Sequence, residues 1–246
     1  RGAKLYIYED ADALQGARIF PQPWEGGVSF SEFATVAIGI HPSNLSWGKR
    51  SVAHELAHQV IYQATYNCYS SMPTWLNEGL AVYAEGPLAP DMQARLDKAT
   101  ANNSLLSVPT LASSFPVDTE AALLSYAQSF SVVEFLLSFG QDKLNQLLQA
   151  FKEGDGYDQA LIKVYNWDMA ELDVQWRQSL GLPPRLPSAS EPATPQTTAP
   201  YKTPQSQPSF GFLSCRKGAQ SSKDLGSLLF LGLYLGLGLS RWWRRR

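Results

Sequence analysis

Cysteine is nearly absent from these 246 residues: Cys68 and Cys215 are the only two. Neither belongs to a CxxC pair or a spaced metal framework, so a thiolate metal cluster is excluded and the pair says little about redox compartment. Histidine is as scarce, with three in the chain. Basic charge is scarce over residues 1–182, where 11 Lys and Arg stand against 20 Asp and Glu, while 183–246 hold 9 against 2. An acidic globule of this kind is a poor electrostatic match for nucleic acid, and the basic tail sits beside an apolar run instead. A long hydrophobic run is missing everywhere except 225–239.

What remains is the composition of one globular domain with appendages, its 44% of hydrophobic residues sufficient for a core. Arg1 stands where Met would, and a strand-like segment follows at once, so the chain is expected to be the remainder of a longer precursor. Two of the three histidines fall in one pentapeptide, His54-Glu55-Leu56-Ala57-His58. On a helix, residues four apart stand one turn above another on the same face, so both imidazoles can reach a single ion while Glu55 turns toward the same cavity. This is a zinc signature. A catalytic zinc takes three protein ligands and keeps one position for water, and Glu78, twenty residues after His58 in the first turn of a second expected helix, offers the third. Glu55 separates an enzyme from a structural site, because a carboxylate beside an activated water can take its proton and hand it on.

Pro73-Thr74-Trp75-Leu76-Asn77-Glu78-Gly79-Leu80-Ala81, taken with His54 to His58 and Tyr126-Ala127-Gln128-Ser129-Phe130, resembles the gluzincin metallopeptidases and, among them, the bacterial peptidase MA-like group. The likeness runs over about residues 4 to 182. It implies an α+β, zincin-like (gluzincin) domain with a small N-terminal β-sheet, the HExxH helix and a helical C-terminal part. It implies zinc on His54, His58 and Glu78, with Glu55 as general base and a peptide or protein substrate. By the same resemblance Tyr126 is a candidate oxyanion donor, its alternative being an ordinary core tyrosine. The strand before the HExxH helix, Ala34 to Ile40, becomes the candidate edge along which a peptide would pair, an interior strand being the other reading. A second class of function stays open, a zinc-stabilised binding or scaffold module without catalysis.

Along the chain, Lys4 to Tyr8 alternates as a strand, Glu9 to Gln15 turns into a short helix, and the Gly- and Pro-punctuated stretch 16–33 reads as a loop or hairpin. The HExxH helix is expected over 49–64, and the next over 74–85 with Thr74 as N-cap. Further helices are expected over 91–101, 119–139, 141–152 and 158–165, with one short turn inside 102–116 and a last helix opened by Asp168. Glu85 has two readings, a partner for a ligand histidine or a solvated carboxylate. His41, beside Pro42, reads as a loop residue, and Trp75 and Tyr83 as packing.

The expected domains are therefore 1–182, a Pro/Ser/Thr-rich linker over 183–224, and a hydrophobic membrane anchor over 225–246 that ends in Arg241-Trp242-Trp243-Arg244-Arg245-Arg246. The apolar run is short of the roughly 20 residues that cross a bilayer, but flanking tryptophans and a snorkelling Arg241 lengthen it. By the positive-inside rule the arginines are cytoplasmic and the catalytic domain lies outside, in a bacterial cell envelope. A cleaved surface-sorting signal is the alternative reading of the same tail.

Overall fold

The computed structural model describes residues 2–18 and 26–185. Three strands and nine helices are seen among them: β1 (Lys4–Tyr8), α1 (Ala11–Gly16), β2 (Gly27–Phe30), β3 (Thr35–Gly39), α2 (Leu45–Thr65), α3 (Thr74–Ala84), α4 (Pro90–Ala101), α5 (Val108–Leu111), α6 (Thr119–Leu137), α7 (Gln141–Glu153), α8 (Tyr157–Tyr165) and α9 (Met169–Ser179). The α+β architecture read from the sequence is the one found. The linker over 183–224, apart from its first residues, and the anchor over 225–246 lie outside the described residues. So do Pro21 and Pro23 of the expected loop. Among the described residues no single helix is long and apolar enough to cross a membrane.

The sheet corrects one expectation. Its order is β1-β3-β2, with β3 parallel to β1 and antiparallel to β2. The 34–40 segment is therefore the centre of the sheet and not its edge. Val36 and Ile38 are fully buried and Ala37 nearly so, because α1 packs against β3 as α2 does. A strand covered on both faces is apolar throughout, which is the pattern of Thr-Val-Ala-Ile-Gly. The edge near α2 is β2, four residues inside the stretch that reads as a loop or hairpin, and its antiparallel pairing with β3 is the hairpin alternative. Ser31–Phe33 form a 3-10 turn and Ala34 takes a left-handed conformation (φ 48°), which returns the chain from β2 into β3.

The helix carrying the motif starts earlier than expected, at Leu45. His41 and Pro42 open a 3-10 turn over 42–44 that runs into it, with the His41 Nδ1 accepting from the Ser43 N–H. Gly48 sits inside α2 as a close-approach residue: a Cβ there would lie 2.4 Å from Ile40 Cγ2. It lets the helix settle on the sheet. α3 is capped by Pro73, with Thr74 as its first helical residue and not its cap.

α3 and α6 pack most closely of all. A Cβ on Gly79 would fall 2.4 Å from the Ser129 carbonyl oxygen, so the two backbones touch at that point. Fully buried Trp75, Leu76, Val132, Val133 and Leu136 surround it and continue into Leu147, Phe151, Leu172 and Trp176 of the C-terminal helices. Burying side chains of this size contributes roughly 1.5–3 kcal/mol each. This helical core holds α3, and with it Glu78, rigidly across α2. Asp118 and Asp168 cap α6 and α9 by accepting from the N–H groups of Ala121 and Glu171. The short turn expected inside 102–116 is α5.

Candidate metal centre

α2 and α3 cross so that His54 and His58 face Glu78. The Nε2 atoms of the two histidines lie 3.4 Å and 3.5 Å from Glu78 Oε2, and one ligating atom from each residue falls within 4.8 Å of the others. A tetrahedral site with zinc–ligand bonds near 2.0–2.1 Å has edges of about 3.3–3.4 Å, so the two histidine–glutamate separations match what one such ion requires. The three residues could hold a metal.

The far nitrogens of both imidazoles are engaged. His54 Nδ1–H donates to Glu85 Oε1 at 2.8 Å, and His58 Nδ1–H to Asn77 Oδ1 at 3.2 Å. Each bond fixes the tautomer that leaves Nε2 with its lone pair turned toward the cluster. Glu85 is itself gripped by Arg50, whose Nε and Nη2 both stand 3.2 Å from Glu85 Oε2. The solvated reading of Glu85 is thus overturned. The sequence leaves its partner role as one of two readings and gives no part to Arg50 or Asn77. Arg50 had a signal, since 50, 54 and 58 form one i, i+4 stripe of α2. Asn77 had none, because which neighbour it meets depends on how α3 crosses α2. We expect Glu85→Gln to weaken metal affinity by about 10- to 100-fold, read by competition with a chelator; unchanged affinity would reduce this contact to packing.

The electrostatics of the cluster suit a cation. Burial alone would push His54 down, but hydrogen bonds to Glu78 and Glu85 and the charges of Glu78 and Glu55 outweigh it, holding the imidazole up at about 10. His58 is raised as well, against burial and the His54 charge, by its hydrogen bond to Glu78 and the charges of Glu78 and Glu55. Glu78 is held down near 2: burial opposes this, and hydrogen bonds from both histidines together with their charges overcome it. Protons on the two imidazoles supply positive charge beside Glu78, Glu85 and Glu55, a place that a cation could take instead.

Glu55 sits between the two histidines and is buried, with 7% of its surface exposed. β2 comes up against it: a Cβ on Gly27 would meet Glu55 Oε1 at 2.7 Å, so only glycine lets the edge strand lie this near the carboxylate. β2 is pinned there by Gln59, one residue past the motif, whose Nε2 donates to Ser29 Oγ at 2.7 Å and to the Thr35 carbonyl at 3.3 Å. Tyr126 comes from α6, its ring centre 6.2 Å from that of His54 and edge-on to Phe115. All five residues singled out from the sequence, His54, Glu55, His58, Glu78 and Tyr126, line one cleft of about 740 Å³. His41 stays outside it, as a turn residue.

No curated protein sequence gives a significant match to this chain. The family model of the Peptidase MA superfamily, a family of peptidases, matches residues 1–181, an interval that holds every one of these cleft residues. With the match covering most of the chain, the chain belongs to the Peptidase MA superfamily.

Proposed function

We propose that the protein is a zinc-dependent peptidase that hydrolyses peptide bonds, with His54, His58 and Glu78 holding the metal. The observation that carries this reading is the pair of 3.4 Å and 3.5 Å ligand separations with Glu55 buried alongside. When bound, zinc supplies a Lewis acid that polarises a carbonyl and makes water acidic near neutral pH. The other groups are the chain's own. Glu55 takes a proton from the attacking water and passes it to the departing nitrogen. The Tyr126 hydroxyl donates to the developing oxyanion. Glu85 and Asn77 keep the two imidazoles in the metal-facing tautomer.

Digestion of a broad peptide library by the zinc-loaded protein, with and without a chelator, tests the reading. Cleavage that stops on chelation and returns with zinc is the expected result. Bound zinc without any such cleavage would leave a zinc-stabilised scaffold in its place. Within the enzyme reading, Tyr126→Phe should lower turnover by on the order of 10²-fold at unchanged zinc content, and unaltered turnover would remove the tyrosine from the mechanism.

The tail supports a location. Leu225 to Leu239 and the Trp/Arg cluster after them suit a tether in the cytoplasmic membrane, arginines inside and the peptidase domain on the outer face. Expressed to Asp224, the protein should leave the membrane fraction and keep its activity; retention of that truncated form on membranes would refute the tether.

A further inference from the structure

Resting on the peptidase reading, the shape of the cleft separates internal cutting from the trimming of ends. α2 lines it from Trp47 to Thr65, and Tyr66 follows directly after the helix. At 1.5 Å per residue, Trp47 and Tyr66 stand about 28 Å apart along the axis. His54 and His58 lie near the midpoint, so the cleft runs about 13 Å past the cluster on one side and about 15 Å on the other. An extended peptide advances about 3.3 Å per residue, and each arm therefore accommodates about four.

A terminus-trimming enzyme needs a charged group committed to the free amino or carboxyl end. Among the described lining residues Arg50 is the sole Arg or Lys, and both its Nε and Nη2 are on Glu85. Its guanidinium is thereby committed to the carboxylate that fixes His54. Asn67, in the Tyr66 arm, is spent on the chain itself, its Oδ1 accepting from Tyr69 and Ser70 N–H and its Nδ2 donating to the Phe151 carbonyl. Asp91 is exposed to solvent, where it would leave an ammonium hydrated. The ends instead present aromatic surface: Trp47 is 39% exposed beside Gly26, and Tyr66 is 54% exposed with its ring 4.9 Å from that of Tyr62. Such faces stack on a passing chain without regard to its sequence.

We infer that the cleft takes the interior of an extended polypeptide, about four residues to each side of the scissile bond, and that the enzyme is an endopeptidase. The test uses the full chain carrying Glu55→Gln, loaded with zinc, and calorimetric binding of mixed-sequence peptides of three, six and nine residues, N-acetylated and C-amidated. Affinity should climb at least tenfold from three to nine residues, and freeing either terminus should change it less than threefold. Trp47→Ala and Tyr66→Ala should each weaken the nine-residue peptide about fivefold more than the three-residue one, with Trp47→Phe and Tyr66→Phe restoring the difference. Affinity that levels off at three residues, requires a free end or is absent at nine overturns the inference. So does release of single terminal residues by the unsubstituted enzyme, with products mapped by mass spectrometry. Failure of the peptidase reading is distinguishable, because it shows as a lack of chelator-sensitive cleavage while length-dependent binding persists.

Discussion

Replacement of Glu55 by glutamine is expected to lower peptide turnover by on the order of 10²–10⁴-fold with zinc content and thermal stability intact. The two side chains share shape and volume, so the packing of this buried residue against Gly27 survives. What is lost is the proton acceptor: a neutral amide cannot take a proton from water at neutral pH and return it to the leaving nitrogen. The candidate ligands are three other side chains, and the imidazoles of His54 and His58 are held in place by Glu85 and Asn77. Turnover, metal content by elemental analysis and a melting curve on the same preparation check it. A glutamine variant that still cuts would sink the general-base assignment. One that loses zinc would show that the position serves the site's structure.

The contrast between Glu55 and Glu85 shows how much of this site is legible without coordinates. Within α2 the rise and turn of a helix are fixed, so residues 54, 55 and 58 can be placed from spacing alone. Glu78 is one step less direct, needing a second helix to cross the first, and α3 carries it just past the first turn, four residues after Thr74, where the sequence places it inside that turn. Glu85 closes α3, 31 residues from His54 in sequence. Whether its carboxylate turns to solvent or to the imidazole depends on the crossing of α2 and α3, set in turn by Gly79 against Ser129 in a different part of the core. Sequence patterns record periodicity within an element far better than the angle between two.

The sheet illustrates the same limit. β3 is apolar throughout, a pattern shared by a strand covered on both faces and one read in isolation next to a catalytic helix. β2 is only four residues long and begins with a glycine, so it carries the composition of a loop. That glycine is the reason for its placement, since Gly27 lets the edge strand reach Glu55. Close approach to Glu55 and the strand signal therefore oppose each other in these four residues, and the local pattern hides the edge that lies against Glu55.

Metal is expected to reverse the pH dependence of stability, an effect as large as the loss of Glu55 is for activity. In the metal-free protein His54 rises from the ordinary 6.5 to about 10, and His58 rises in the same sense. Between those values the folded state binds protons that the unfolded chain releases, so the stability they contribute is fully present below 6.5 and is lost as pH rises toward 10. Glu78 falls from 4.5 to about 2, and its contribution is present above 4.5 and lost as pH falls toward 2. The metal-free domain should therefore be most stable between about 4.5 and 6.5 and should weaken through neutrality. Zinc requires the same imidazoles without their protons, so its binding releases protons and strengthens as pH rises. At a thousandfold excess over its dissociation constant it adds about 4 kcal/mol to the folded state. Melting temperatures of chelator-treated protein should fall from pH 6 to pH 9 while those of zinc-loaded protein hold or rise. Calorimetric zinc binding near pH 7 should differ between buffers of unlike ionisation enthalpy, and Glu78→Gln should flatten the metal-free profile. A metal-free melting temperature that climbs over that range, or a binding enthalpy identical in both buffers, would show that His54 and His58 are neutral before the metal arrives and that the cluster is not charged in the way its geometry requires.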